Sequence, residues 1–161
     1  MMKIKIVAVG KIKEQYYKEM INEYTKRLSK YCRVEIEECL DESIPKNSSA
    51  AIENVVKEKE GIKLLNKIRD NEYVILLDLH GNDKYDSITF ARYFDKLMTD
   101  GNSVITFVIG GSLGLSEDVK NRANKRISLS KFTFTHQMTR IILLEQIYRS
   151  FKILNNETYH K

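Results

Sequence analysis

Cysteine and histidine are scarce in this sequence of 161 residues, and their spacing argues against a disulfide or a metal site. The two cysteines, Cys32 and Cys39, flank an apparent strand, and an extended chain would separate them by roughly 23 Å at about 3.3 Å per residue. A disulfide requires Cα atoms within about 7 Å of each other. The three histidines, His80, His136 and His160, stand apart from one another and from the cysteines. We therefore expect reduced, packed cysteines and no metal.

Several motifs of nucleotide-binding and hydrolytic enzymes are also missing. The sequence has no GxxxxGK[ST] phosphate loop, no GxGxxG dinucleotide fingerprint and no GxSxG nucleophile elbow. No apolar run approaches the roughly 20 residues of a membrane-spanning helix. The N-terminal stretch MMKIKIVAVGKIKEQ contains a short strand-like run and no signal-peptide cleavage pattern. These absences lead us to expect a cytoplasmic protein that does not contact a membrane.

The charge balance is basic but moderate. Lysine and arginine number 27 against 22 aspartates and glutamates, which gives a net charge of +5. Hydrophobic residues make up 42% of the chain, a proportion that suits one globular domain over residues 1–161. A positive excess of this size favours an anionic partner such as RNA without requiring one.

Predicted strands alternate with predicted helices along almost the whole chain. Short apolar or alternating runs predict strands, and apolar spacings of three and four predict helices. The strands are expected at 3–9, 33–39, 73–79, 104–109 and 126–129, and the helices at 14–31, 50–69, 88–99, 117–123 and 138–154. Ser87 and Ser116 are expected to cap the third and fourth helices, and Gly61 marks a point where the second could break. The alternation indicates an α/β domain with a mainly parallel sheet and flanking helices.

The most informative stretch is VITFVIGGSLGLS, residues 104–116. It begins as a buried strand, reaches Gly110, Gly111 and Gly114, and then offers Ser116 as a helix cap. Adjacent glycines allow unusual backbone dihedrals and leave room for a ligand against the main chain. A strand, a glycine turn and a helix start form a ligand-binding corner of an α/β sheet. A tight turn without a ligand is the alternative at this point.

Ionisable side chains are concentrated in the last third of the chain. Glu145 and Arg149 lie four residues apart on the last predicted helix and can form an ion pair. Arg140 lies near the positive end of that helix, where a cation is unfavourable, so a ligand role is favoured for it over Arg149. The terminal residues 159–161 would ordinarily be frayed, and they matter for function only if they dock.

Six segments follow one another in the order and spacing of a known family: VAVGK, LDLHG, FVIGGSLGLS, SLSKFTFTHQMTR, LLEQIYRSFKI and YHK. Together they closely resemble the RlmH family, ribosomal RNA methyltransferases of the SPOUT superfamily. The resemblance spans the whole chain and implies a trefoil-knotted fold, which sequence patterns would not propose because threaded chains are nearly absent among folds. It also implies a homodimer that transfers a methyl group from S-adenosylmethionine to N3 of a pseudouridine in 23S rRNA, within the large subunit or the 70S ribosome.

The resemblance further implies a cofactor site made from the end of one strand, the first of the paired glycines and a loop that wraps the adenosine. Its residues are Leu77, Gly110, Leu129, Ser130, Lys131, Phe132, Thr133 and Phe134. Glycine admits the ligand against the backbone, and the irregular loop offers N–H and C=O groups to adenine and ribose. Leu77, Leu129 and Phe132 would supply apolar walls.

Methyl transfer leaves little chemistry to the protein, because the sulfonium already activates the methyl group. The protein must align N3 with the methyl carbon and help N3 lose its proton. Five residues within reach of the site by sequence are candidates for this catalysis: His136, Arg140, Glu145, Tyr159 and His160. The sequence does not decide among them. The resemblance places the YHK ending beside the methyl-transfer site, with an arrangement across the dimer as one option.

Two other functions are compatible with the residues alone. One is a non-enzymatic, basic RNA- or ribosome-binding α/β dimer, and the other is an α/β enzyme that acts on a small nucleotide. Binding of S-adenosylmethionine would separate the methyltransferase from a pure RNA-binding module.

Overall fold

A five-stranded parallel sheet forms the centre of the molecule. The computed structural model describes residues 1–82 and 84–161. The strand order is β2-β1-β4-β3-β5, and every pairing among these strands is parallel. The strands are β1 (Lys3–Val9), β2 (Arg33–Cys39), β3 (Tyr73–Asn82), β4 (Val104–Ile109) and β5 (Lys125–Ile127). The predicted α/β class with a mainly parallel sheet is confirmed.

Helices cover both faces of the sheet, as parallel strands joined by crossovers require. They are α1 (Gln15–Leu28), α2 (Ala50–Leu65), α3 (Ser87–Thr99), α4 (Glu117–Arg122) and α5 (His136–Leu154). On one face α5 packs between α1 and α3 over the larger core, and on the other α2 contacts α4 over a smaller one. None of the described helices is long and apolar enough to cross a membrane.

Strand β1 shows why the central strands are apolar at almost every position. Ile4, Ile6 and Ala8 face the core under α1, α3 and α5, whereas Val7 and Val9 face α2 and α4. All five side chains are at most 2% exposed. Successive side chains of a strand point to opposite faces, so a strand covered on both sides needs apolar residues on both.

Several elements differ from the prediction at their ends; α1, for example, ends at Leu28, and β5 spans Lys125–Ile127. Hydrogen bonds explain two of these differences. Strand β3 continues three residues beyond its predicted end, because Asn82 pairs with Ile127 of β5. Helix α5 begins at His136, two residues earlier than predicted, because the Thr135 hydroxyl accepts the Met138 N–H at 3.3 Å and caps it. Both changes come from hydrogen bonds that the apolar spacing does not reveal.

Gly61 does not break α2, which continues past it to Leu65 and ends before the predicted Arg69. The glycine is needed for packing. A Cβ at this position would overlap the Ser116 hydroxyl and lie 3.3 Å from Val119 Cγ2 in α4. Ser116 caps α4 as predicted, accepting the Val119 N–H at 3.3 Å. The missing side chain therefore lets α2 lie directly against the start of α4.

The predicted cap of α3 is wrong. Asp86, one residue before Ser87, accepts the Thr89 N–H at 2.8 Å, and the Thr89 hydroxyl accepts the Asp86 N–H at 2.9 Å. An aspartate caps a helix as well as a serine does, and here it completes a reciprocal capping box. Ser87 instead donates to Gln146 Oε1 of α5 at 2.8 Å, which joins the two helices.

The two cysteines are buried and unpaired, as their spacing predicted. Burial raises the pKa of the Cys32 thiol to about 12. Burial also raises the pKa of Cys39 above its ordinary value. Both side chains are therefore protonated packing groups at neutral pH.

One ionic network lies within the sheet face that α2 covers. Lys5 in β1 donates to Glu72 Oε1 at 3.0 Å, and Thr106 in β4 donates to Glu72 Oε2 at 2.8 Å. Lys5 also donates to the Lys67 carbonyl. Lys5, Glu72 and Thr106 are at most 7% exposed. Since a buried charge is costly without a partner, each charge depends on the other.

Replacing Glu72 by alanine is expected to lower the free energy of unfolding by about 3 kcal/mol or more, because the buried Lys5 ammonium loses its closest carboxylate. Of the carboxylates that the structure describes, Glu37, at 3.7 Å, would remain as an ion-pair partner. The control is Glu117→Ala, which removes an 83% exposed carboxylate 3.5 Å from Lys120 and should cost less than about 1 kcal/mol. Urea unfolding measures both variants, and similar losses would contradict the assigned role of Glu72.

Candidate active site

The carboxyl ends of β3 and β4 open onto a cavity of about 430 Å³, here called the first cavity. Its walls are the end of β3, the glycine turn at 110–114 and the segment 128–136. Ligands of parallel sheets bind at this edge, and the volume suits a small organic molecule. Seven of the eight predicted cofactor residues line it: Leu77, Gly110, Leu129, Ser130, Phe132, Thr133 and Phe134. Lys131 belongs to the same segment but is not part of the lining.

The glycine turn has no room for side chains at its first two positions. A Cβ on Gly110 would lie 2.8 Å from Leu115 Cδ2, and one on Gly111 would lie 2.7 Å from Glu60 Oε1. Gly114 has a φ of +92°, which other residues rarely adopt, and its N–H donates to the Gly111 carbonyl at 3.0 Å. Packing of the turn itself therefore requires these glycines, independently of any ligand.

The segment 128–135 has no regular structure, but its serines fix it. Ser128 Oγ donates to the Ser130 carbonyl at 2.7 Å, and Ser130 Oγ accepts the Phe132 N–H at 3.0 Å. Phe132 is nevertheless 80% exposed. An exposed aromatic ring at the mouth of a cavity is available to cover a ligand or to contact a second chain.

Asp78, near the end of β3, also lines the first cavity, and the sequence analysis did not select it. Its carboxylate accepts from Arg126 Nε at 3.0 Å and from the His80 N–H at 3.2 Å. Burial opposes ionisation of Asp78, but the Arg126 guanidinium, the His80 N–H and the Lys120 charge together lower the pKa of the carboxyl. In the sequence, Asp78 could have been selected because it is a lone carboxylate at the end of an apolar strand.

A second cavity, of about 480 Å³, lies at the carboxyl ends of β1 and β2. Its lining comes from the loops after those strands, from Glu60 in α2 and from the first turn of α5. Gly111, Ser112 and His136 line both cavities. The two cavities therefore adjoin at the glycine turn and the start of α5, a boundary here called the shared wall.

His136 is the first residue of α5 and lies on this shared wall. Burial, assisted by the nearby Arg140 charge, lowers the pKa of His136 below its ordinary value. The imidazole is therefore neutral at neutral pH, with one ring nitrogen that donates a hydrogen bond and one that accepts. Among the described side chains, no group of three or more His, Cys, Asp or Glu could hold a metal ion.

Arg140 is 1% exposed, and groups of its own chain hold the guanidinium. It pairs with Glu38 of β2 and donates to the Gly10 carbonyl at 2.7 Å, while Glu38 also accepts the Ile12 N–H at 2.9 Å. The Glu38 carboxylate offsets the unfavourable position of a cation near a helix N-terminus. The contacts observed for Arg140 hold the turn after β1 at the wall of the second cavity. Its predicted catalytic role stays a prediction.

The C-terminal residues dock on α5 instead of fraying. The Tyr159 hydroxyl donates to Glu145 Oε1 at 3.2 Å, and Arg149 Nε lies 3.1 Å from the same oxygen. His160 Nδ1 lies 3.1 Å from Arg149 Nη1, and the Tyr159 ring meets the Tyr148 ring edge-on at 4.9 Å. The fold thus joins three predicted catalytic residues, Glu145, Tyr159 and His160, through Arg149.

Glu157 anchors this docked ending to α1 and α5. Its carboxylate accepts from the Tyr31 hydroxyl at 2.7 Å, from Lys152 Nζ at 2.8 Å and from Lys30 Nζ at 3.2 Å. The hydrogen bonds from Lys152 and Tyr31 lower the pKa of Glu157 to about 2. The carboxylate is therefore ionised at neutral pH.

The five predicted catalytic residues fall into two groups within one chain. His136 and Arg140 lie at the cavities, whereas Glu145, Tyr159 and His160 lie further along α5. His136 and Glu145 are separated by nine residues, which is about 14 Å along a helix axis. A single chain therefore does not bring all five candidates together.

Sequence comparison agrees with this architecture. The chain matches the family described as "Predicted SPOUT methyltransferase" over residues 2–160. The Ribosomal RNA large subunit methyltransferase H of Clostridium botulinum (strain 657) is 54% identical over 160 residues, which cover 99% of this chain and 100% of the relative. The protein of the same name from Clostridium beijerinckii, and methyltransferase H 1 of Clostridium perfringens (strain SM101), are each 52% identical over the same extent.

The parallel sheet with flanking helices is consistent with the knotted SPOUT fold that the six sequence segments implied. The family match spans almost every residue, and the relatives are more than half identical along their whole length. The chain therefore belongs to the SPOUT methyltransferase family.

Proposed function

We propose that this protein is a ribosomal RNA methyltransferase that moves a methyl group from S-adenosylmethionine to N3 of a pseudouridine in 23S rRNA. Membership of the SPOUT family supports methyl transfer, and the names of the relatives support large-subunit rRNA as the substrate. The observation that carries the proposal is the first cavity, which lies at the ligand-binding edge of the sheet and is lined by seven of the eight predicted cofactor residues. A non-enzymatic RNA-binding module would give this cavity no role.

In this proposal S-adenosylmethionine, the donor that SPOUT methyltransferases generally use, occupies the first cavity. Backbone groups of 129–134 would contact adenine and ribose, and the apolar side chains of the lining would form the walls. Asp78, kept ionised by Arg126, places a negative charge on the lining of a cavity that would receive a sulfonium cation. Lys57 and Lys120 line the same cavity, so Asp78 is the acidic group of a wall that also carries cations.

When bound, the donor supplies an activated methyl group and a thioether leaving group. Two tasks then fall to the protein: holding N3 in line with the methyl carbon, and removing the N3 proton. His136 is neutral and lies on the wall between the cavities, so it is suited to hydrogen-bond an incoming base. Arg140, held by Glu38, keeps the neighbouring loop in position.

We further propose a homodimer in which the docked ending of one protomer completes the site of the other. The separation of Glu145, Tyr159 and His160 from His136 in one chain supports this arrangement. The apolar stripe of α5 is buried in its own core, so it does not by itself require a partner. A second copy would instead cover the exposed apolar side chains at the mouth of the first cavity: Leu79, Phe132 and Phe134.

The proposed substrate is assembled ribosomal material in the cytoplasm, either the large subunit or the 70S ribosome. A net charge of +5 supplies only a moderate electrostatic attraction to RNA phosphates. Recognition of a folded RNA surface by shape would then supply the remaining specificity.

Gly110→Ala is expected to weaken S-adenosylmethionine binding at least tenfold, because the new Cβ would lie 2.8 Å from Leu115 Cδ2 and displace the glycine turn. Calorimetric titration measures the affinity, and Gly101→Ala is the matched control. Gly101 has a φ of +93° with nothing near its Cβ position, so its replacement costs roughly 1 kcal/mol of stability away from the cavity. Equal affinities in the two variants would contradict the cofactor site.

Deleting residues 159–161 is expected to leave S-adenosylmethionine affinity within about twofold and to lower methylation of ribosomes at least tenfold, or about 1.4 kcal/mol. The deletion removes the contacts to Glu145 and Arg149 but none of the residues that line the first cavity.

A mixed dimer tests whether the C-terminal residues 159–161 of one protomer act at the site of the other. One protomer carries the deletion and the other carries Gly110→Ala, so each homodimer is impaired. If the ending of one protomer serves the cavity of the other, the mixture should regain methylation at one of its two sites. A mixture as inactive as both parents would count against the shared site.

Ribosomes that lack the modification should be methylated at one pseudouridine when they are incubated with the protein and S-adenosylmethionine. Mass spectrometry of the 23S rRNA locates the added methyl group. The rate should fall as salt is raised from 50 to 200 mM, since phosphate contacts release counterions. A free RNA hairpin methylated as fast as ribosomes would contradict the requirement for assembled ribosomal material.

A further inference from the structure

Glu60 is a buried carboxylate that the proposed function does not yet use. It is 5% exposed, lies in the middle of α2 and lines the second cavity. Its Oε2 accepts the backbone N–H of Glu42 at 3.0 Å. No lysine or arginine within 1–82 or 84–161 forms an ion pair with it, and the nearby Lys63 pairs with Glu42 instead. A buried carboxylate without a cation is costly, so its position calls for an explanation.

The second oxygen of Glu60 lies at the wall shared by the two cavities. Oε1 would be 2.7 Å from a Cβ on Gly111, which means that the carboxylate rests against the bare backbone of the glycine turn. This approach depends on Gly61, whose missing side chain lets α2 lie against Ser116. The neighbouring glycine therefore positions Glu60, and it is the sequence signal that could have drawn attention to this residue.

We propose that the second cavity receives the target pseudouridine and that Glu60 is the catalytic base that accepts its N3 proton. The inference rests on the proposed function. The N3–H proton passes to Glu60 Oε1, and the N3 electron pair forms a bond to the methyl carbon. The bond between that carbon and sulfur breaks, and its electrons stay on sulfur, which yields S-adenosylhomocysteine. Glu60 then returns the proton to solvent.

The electrostatic surroundings of Glu60 suit a base. Burial raises the pKa of its carboxyl above the ordinary value, and the Asp41 charge adds to this effect against the opposing Glu42 N–H. A base whose pKa lies nearer the operating pH accepts a proton more effectively. The other ionisable groups around it come from four elements: Asp41 and Glu42 after β2, Lys63 on α2, His136 and Arg140 on α5, and Lys11, Lys13 and Glu14 after β1.

A purely structural role predicts different behaviour. Glu60 could serve only to hold the loop after β2, through its bond to the Glu42 N–H. Glutamine keeps an oxygen that accepts this N–H, so Glu60→Gln preserves the loop and removes the base. A structural residue would therefore tolerate glutamine, whereas a catalytic base would not.

The test is single-turnover methylation of ribosomes by Glu60→Gln at saturating S-adenosylmethionine. The rate should fall at least about 100-fold, the usual contribution of general base catalysis. The S-adenosylmethionine affinity and the melting temperature should stay close to those of the wild type. Glu58→Gln, an exposed position two residues earlier on α2, is the matched control and should retain the full rate. A rate for Glu60→Gln within threefold of the wild type would overturn the assignment.

The pH profile of the wild-type rate gives a second, independent measurement. The rate should fall with decreasing pH as Glu60 becomes protonated, and Glu60→Gln should lack this limb. A wild-type profile that is flat from pH 5 to pH 8 would overturn the assignment even if the variant folds poorly. If the wild type transfers no methyl group to ribosomes, the proposed function fails and this inference fails with it. A normal rate in Glu60→Gln removes only the role of Glu60.

Discussion

Close packing around the glycine turn is the constraint on which both cavities depend. Three bare backbone positions meet there: Gly61 of α2 against Ser116, Gly110 against Leu115, and Gly111 against the Glu60 carboxylate. A Cβ at any of them would force its neighbour to shift, because it would approach Ser116, Leu115 or Glu60 more closely than van der Waals contact allows. The two cavities adjoin at this turn, and a methyl donor in one and an acceptor base in the other would come into contact there.

Helix α5 links this region to the rest of the molecule. Its N-terminal turn carries His136 and the Arg140–Glu38 pair at the cavities, and its middle fills the larger core with residues such as Leu143 and Ile147. The docked C-terminal residues contact Glu145, Tyr148 and Arg149, a group that begins roughly two and a half turns after His136. The helix thus fixes a distance between two groups of ionisable side chains, and that distance makes a site shared between two protomers reasonable.

Buried charges in this protein follow two patterns. Lys5 pairs with Glu72 inside the sheet face, and Arg140 pairs with Glu38. In each pair the opposite charge compensates for the hydration that burial removes. Glu60 is equally buried, but its partner is a backbone N–H. A buried carboxylate without an ion pair is more consistent with a catalytic role than with stabilisation of the fold. Its place beside an open cavity is what distinguishes it.

The sequence alone determined the alternation of strands and helices, the bounds of β2 and β4, the reduced cysteines and, through six segments, the family. These features depend on local spacing and composition, which any stretch of chain displays by itself. The strand order, the Asp86 cap, the place of Asp78 on the cavity wall and the contact between Glu60 and Gly111 were decided by the tertiary structure. In the sequence Glu60 is one more charge on a lysine- and glutamate-rich helix, because its surroundings come from residues distant along the chain, such as Glu42 and Gly111, that only the folded sheet brings alongside it.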